Sequence, residues 1–340
     1  MTKKEARNSF IDLYRFFAMF VVMGCHQYHL SVGGFPFGNG WIFAEFFFIL
    51  TGYLTSSHFC LKSEKRVNCK EAFRYTVRKF MTMMPFVWSA ILLEYIFSLL
   101  KMWLLSDASV SEMLIFMTKL PFELFMLTGL YTEPVLIPGW YLSAMLLVLP
   151  AFCILLQKSG ERVLTILSAL LPVAIYTIIG FEGNWTFPDN LLRASSGLLL
   201  GTFAFQLNQN VLPKLYRLLR QKWITLIQMI ILFVPFILCY RDPRNYYIVI
   251  LCCFVLGIAV TMSGESFTGK LKSKAMVYLG KISLPLYLYH WTIAGVLASH
   301  RIPLSWNAKY ILFHVLSVLF AVCAYEFISA SRFGKMRKIG

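Results

Sequence analysis

The stretch Asp12-Leu-Tyr-Arg-Phe-Phe-Ala-Met-Phe-Val-Val-Met-Gly-Cys-His-Gln-Tyr-His29 decides how the chain is read. It is an apolar run with a cation near each end. Arg15 and His26 are eleven residues apart. At about 100° per residue that is three helical turns plus roughly 20°, so both side chains share one helix face. Their axial separation is roughly 16 Å at about 1.5 Å per residue. Ionisable groups at membrane depth are costly and usually face the bundle interior or a wet cavity. Two readings follow. Either the pair lines a polar site, or Arg15 snorkels to an interface and His26 is a hydrogen-bonded core residue.

Composition sets the context. Of 340 residues, 58% are hydrophobic, 14% are charged and 31 are Phe. Repeated apolar runs near 20 residues predict an all-α polytopic membrane protein. Ten spans are expected, near 9–30, 40–58, 80–104, 138–157, 163–180, 191–206, 223–240, 246–262, 282–300 and 308–328. The formal charge of +16 does not argue for nucleic acid, because the basic residues lie between apolar runs and not on one face. With both termini inside, the interior segments hold 24 of the 32 Lys and Arg, as the positive-inside rule requires. Residues 105–137 read as an interfacial or re-entrant piece, since an eleventh span there would invert the later basic loops. The eight Cys show no C-x-x-C and fall mostly in apolar runs, which suits packing over a disulfide framework. Lys3, Lys4 and Arg7 ahead of the first run mimic a signal peptide, but no small-residue cleavage site follows. A single membrane domain over 1–340, with no fused soluble domain, is the economical reading.

Several segments carry candidate chemistry. Glu45 interrupts the apolar run Ala44-Glu-Phe-Phe-Phe-Ile-Leu-Thr-Gly-Tyr-Leu54. An unpaired carboxylate in hydrocarbon costs several kcal/mol, so it must pair or meet water. The nearest cations in sequence are Arg15 and His26 on the first helix. A basic loop then leads into Phe73-Arg-Tyr-Thr-Val-Arg-Lys-Phe-Met-Thr-Met-Met-Pro85. Arg74, Arg78 and Lys79 there are either an anion site or ordinary positive-inside charge. Trp140 in Pro138-Gly-Trp-Tyr-Leu-Ser143 fits an interfacial aromatic belt or a sugar-stacking surface. Arg193 precedes Gly197-Leu-Leu-Leu-Gly201, a G-x-x-x-G that permits close helix packing. Arg193 itself reads equally as structural, as snorkelling or as an anion ligand. In Lys281-Ile-Ser-Leu-Pro-Leu-Tyr-Leu-Tyr-His-Trp291, Tyr287 and His290 share a helix face. His26 and His29 are spaced for a metal, but no carboxylate-rich partner set accompanies them, so no metal is expected.

Taken in order, these segments resemble the acyltransferase-three family of polytopic membrane proteins. The resemblance lies in the Arg-x10-His of the first helix, the acidic-x-Phe-Phe-x-x-Thr-Gly of the second and the basic residues ahead of Pro85. Trp-Tyr-Leu at 140–142, Arg193 before its glycines, and Ser283-x-x-x-Tyr-Leu-x-His290 complete it. Thr51 stands where Ser is usual, and Thr82 where a second arginine usually falls. The resemblance implies an O-acyltransferase, and within that class an O-acetyltransferase, in the inner (cytoplasmic) membrane of a bacterial cell envelope. It implies acetyl-coenzyme A as donor and a surface glycan or glycolipid as acceptor. In that reading His26 is general base or relay, with Arg15 and Glu45 beside it. Arg74, Arg78 and Lys79 meet donor phosphates, and Trp140, Arg193, Tyr287 and His290 contact substrate. The alternative is a transporter or flippase of sugar-linked lipids, against which stands the lack of a repeat between the two halves.

Overall fold

A computed structural model describes residues 7–26, 37–60, 68–105, 108–127, 134–179, 186–240, 243–298 and 304–331. Among these residues the structure is helical, without strands. Ten helices have 17 residues or more: α1 (Ser9–Cys25), α2 (Phe43–Cys60), α3 (Cys69–Leu105), α6 (Gly139–Lys158), α7 (Glu161–Ile179), α8 (Phe187–Gln206), α10 (Gln221–Leu238), α11 (Tyr247–Ser263), α13 (Lys274–Leu297) and α14 (Trp306–Ala330). Short helices α4 (Val110–Met117), α5 (Leu120–Leu124), α9 (Leu212–Tyr216) and α12 (Phe267–Lys270) lie between them. The ten long helices fall where the ten apolar runs predict them. Five of them, α3, α6, α7, α10 and α14, are long and apolar enough to cross a membrane.

Local chemistry sets the helix starts. The Asn8 side chain accepts from the backbone N–H of Phe10 and Ile11 at the start of α1. Ser273 and Ser305 do the same for α13 and α14. Each satisfies a donor that the helix itself leaves orphaned. The third run is predicted from residue 80, but α3 begins at Cys69 and is 37 residues long. Its first turns are basic and not apolar, so hydropathy does not register them although they continue the same helix.

Pairings between helices give their directions. Ser273 N donates to Ser9 Oγ (3.1 Å), and His26 meets His290 at the other end. The sequence offset is 264 at both points, so α1 and α13 run parallel and in register. Helices α2 and α8 are also parallel, joined by Glu45 to Arg193 near one end and Ser56 to Thr202 near the other. Their approach needs small residues. A β-carbon on Gly201 would overlap the Ile49 carbonyl, and one on Gly52 would overlap that of Leu198. The predicted G-x-x-x-G therefore forms a close helix contact.

The stretch between α3 and α6 does not carry the chain across the bundle. Asn68 N at the start of α3 donates to Gln157 Oε1 at the end of α6 (2.6 Å), so these helices are antiparallel. Helices α4 and α5 therefore leave and return at the same end. α4 carries a Ser109–Glu112 capping box, whose hydrogen bonds hold the Glu112 carboxyl below its ordinary pKa. Buried Glu123 accepts from the backbone N–H groups of Val135 and Leu136. Trp88 Nε1 donates to the Leu124 carbonyl (2.9 Å), fixing α5 against α3.

Candidate functional site

The long helices place two polar constellations at the His26 end of the bundle and open a cavity toward the Arg7 end. The cavity has a volume of about 590 Å³ and is lined by α1, α2, α3, α6 and α13. Its outer portion holds Arg7, Arg15, Arg78, Lys79 and Lys281, against the single carboxylate Asp12. Arg7 and Arg78 are exposed, which puts the open end there. Its inner portion is formed by Met19, Val22, Tyr141 and Tyr287, three of them at most 8% exposed. Cations at the entrance and aromatic surface at depth suit a long ligand with an anionic trailing part and an apolar leading part.

Asp12 organises the entrance. It accepts from Arg7 Nε at 2.5 Å and from Arg15 Nη1 at 3.3 Å while only 2% exposed. It fits against α13 because residue 280 is Gly; a β-carbon there would overlap the carboxylate. Arg15 therefore faces the cavity beside a counter-ion that sequence reading did not single out. Arg78 and Lys79 line the cavity. Arg74, one turn earlier, is exposed and does not line it. Thr82 does line it, but its hydroxyl donates to the Arg78 carbonyl (2.7 Å), so no second arginine function is replaced.

One turn beyond Val22 and Tyr287 lies the first constellation. His26 Nδ1 is 2.7 Å from His290 Nε2, and the rings stack at 5.0 Å with planes 13° apart. His290 Nδ1 reaches the Leu286 carbonyl at 3.1 Å, and the residue is fully buried. Trp291 meets the His26 ring edge-on at 5.5 Å. Tyr287 donates to the Pro138 carbonyl (2.7 Å), tying α13 to the start of α6. His290 is predicted as a substrate contact; its ring instead backs His26 and anchors on its own helix. His29 lies outside the described residues.

The second constellation centres on Glu45, which is fully buried. Oε1 accepts from Arg193 Nε and from Tyr247 OH, each at 2.8 Å, and Oε2 accepts from Tyr176 OH at 2.7 Å. The guanidinium also lies over the rings of Trp140 (5.0 Å) and Trp41 (5.8 Å). The sequence-based partner for Glu45 was Arg15 or His26; the structure assigns Arg193, and Glu45 does not line the cavity. Trp140 is the stacking partner of that arginine. Arg193 is thus the buried ion-pair partner of Glu45 across α8 and α2.

Sequence reading missed Trp41, Tyr176 and Tyr247, whose signal is that of any aromatic in an apolar run. It also missed Glu94 on α3. This buried acid accepts from Thr292 Oγ1 (2.5 Å), two residues beyond His290. An acid inside an apolar run was the available signal, the same one that exposed Glu45.

A family model described as "Acyltransferase domain", that of the acyltransferase 3 family, matches residues 8–326. No curated protein and no solved structure matches the chain.

Proposed function

The chain belongs to the acyltransferase 3 family and is an acyltransferase, and on that premise we propose that it is an integral membrane O-acyltransferase taking its acyl group from acetyl-coenzyme A. The acceptor is a hydroxyl of a cell-surface glycan or its lipid-linked precursor. The observation that carries this reading is the cavity. Its entrance gathers Arg7, Arg15, Arg78, Lys79 and Lys281, and its far end stops one helical turn short of the His26–His290 pair. A donor with phosphates at one end and a thioester at the other fits that polarity.

In this reading the ten long helices cross the inner membrane in alternation with both termini cytosolic. The parallel run of α1 and α13 supports an odd number of crossings between them, which the seven long helices from α2 to α11 supply. The concentration of Lys and Arg at the Arg7 end supports that end as cytosolic. The donor enters from the cytosol and the acceptor arrives at the His26 end. His26 takes the acceptor hydroxyl proton as the oxygen bonds to the thioester carbonyl carbon. The C–S bond then breaks, its electron pair leaves with sulfur, and the thiolate recovers the proton from His26. Arg15 and its neighbours hold donor phosphate through charge-assisted hydrogen bonds. Glu45 and Arg193 hold α2 and α8 together beside the site and take no part in the chemistry.

The test is incubation of the purified protein with labelled acetyl-coenzyme A and candidate glycans. Thioester consumption that depends on the acceptor supports the reading. Movement of a sugar-linked lipid between leaflets with no thioester consumed replaces it with the flippase.

A further inference from the structure

The two-histidine contact has a directional consequence. The Leu286 carbonyl only accepts, so the His290 nitrogen facing it, Nδ1, carries a hydrogen. A neutral His290 then presents a lone pair at Nε2, and the atom 2.7 Å away, His26 Nδ1, must be the donor. The opposite polarity needs a doubly protonated His290. That is a cation at 0% exposure, and among the described residues no carboxylate lies within salt-bridge distance of it. With Nδ1 committed as donor, a neutral His26 carries its lone pair on Nε2.

From this we infer that His290 is a positioning residue for acyl transfer, which through the Leu286 carbonyl fixes the His26 tautomer and leaves Nε2 as the nitrogen that takes the acceptor proton. His290 thereby does what a buried carboxylate does behind the base of a hydrolase triad, with a neutral acceptor in its place. When Nε2 accepts the hydroxyl proton, the imidazolium formed keeps its Nδ1–H bonded to His290. The proton later leaves from Nε2 to the departing sulfur, so His290 neither gains nor loses one. Trp291, edge-on to His26, holds the ring plane in which this contact is made.

The inference rests on the acyltransferase reading, and the experiment separates the two. The full-length protein, labelled at histidine nitrogen, is examined by NMR in detergent, with H26Q and H290Q assigning the resonances. His26 protonated at Nδ1 with Nε2 unprotonated is the expected result; protonation at Nε2 overturns the inference whatever the activity. In transfer assays, H290Q keeps an oxygen acceptor for the Nδ1–H and retains kcat within about tenfold, while H290L loses roughly 10²- to 10³-fold. The donor KM stays unchanged in both, because neither substitution touches the cavity entrance. Equal loss in H290Q and H290L, or no loss in H290L, overturns the inference. Wild-type protein that consumes no thioester refutes the acyltransfer reading alone, and the nitrogen spectrum still decides the tautomer.

Discussion

Arg193 Nε donates to Oε1 of Glu45 at 2.8 Å, joining α8 to α2 in a position where the carboxylate is wholly buried. Two tyrosine hydroxyls complete the carboxylate's shell, and two tryptophan faces cover the guanidinium. Such a pair adds little net stability over an apolar equivalent, but losing one partner leaves a buried charge. Glu45→Ala and Arg193→Ala are each expected to destabilise the protein by about 3–5 kcal/mol. The double variant should cost clearly less than their sum. Thermal midpoints of the detergent-solubilised proteins in a double-mutant cycle check this; strict additivity would mean the two residues act independently.

His26→Ala is expected to lower kcat by at least about 10²-fold, the usual contribution of a positioned acid–base group. The ring packs on His290 and Trp291 without closing any helix, so the variant should remain folded. A purified, monodisperse His26→Ala protein with wild-type transfer would remove His26 from the chemistry.

Arg15→Ala and Arg78→Ala should raise the KM for donor roughly ten- to a hundredfold, from loss of a charged hydrogen bond worth about 1.5–3 kcal/mol. Arg74→Ala, on the same helix but off the cavity, should stay within about twofold of wild type. The contrast between Arg74 and Arg78 is the informative measurement, since both carry the same charge. Equal effects of the two would point to a general field and not to a defined pocket.

Gly201→Ala places a methyl group against the Ile49 carbonyl. Overpacking of this kind costs about 1–3 kcal/mol, and here it also pushes α2 away from α8. The expected result is a lowered thermal midpoint. Gly160→Ala, where a β-carbon meets nothing within 4 Å, serves as the control and should leave the midpoint near wild type.

The helices were legible in the sequence because apolar runs of membrane length are the strongest signal a chain carries. So was the buried character of Glu45, and the close contact made by Gly197 and Gly201. What escaped was pairing over distance. Glu45 meets a cation 148 residues away, and His26 meets a ring 264 residues away. Spacing along one helix reports which face a residue occupies, but not which other helix that face meets. The nearest cations in sequence were therefore the wrong partners for Glu45. The same limit explains Arg74. Its charge and helix were readable, while the point at which the cavity ends along α3 depends on α1, α6 and α13.

The Glu45–Arg193 bond also constrains how the protein is made. Ribosomes deliver α2 long before α8: the carboxylate precedes its counter-charge by 148 residues. At roughly 5–20 residues per second, it waits roughly 7–30 s for its partner during synthesis. If α2 enters the bilayer in that interval, the nascent chain must carry the acid protonated or hold it at the headgroups. Biogenesis of this bundle thus has a vulnerable period that ends only when the sixth long segment arrives. Chains truncated before Arg193 should be cleared by quality-control proteases far faster than chains truncated after α8.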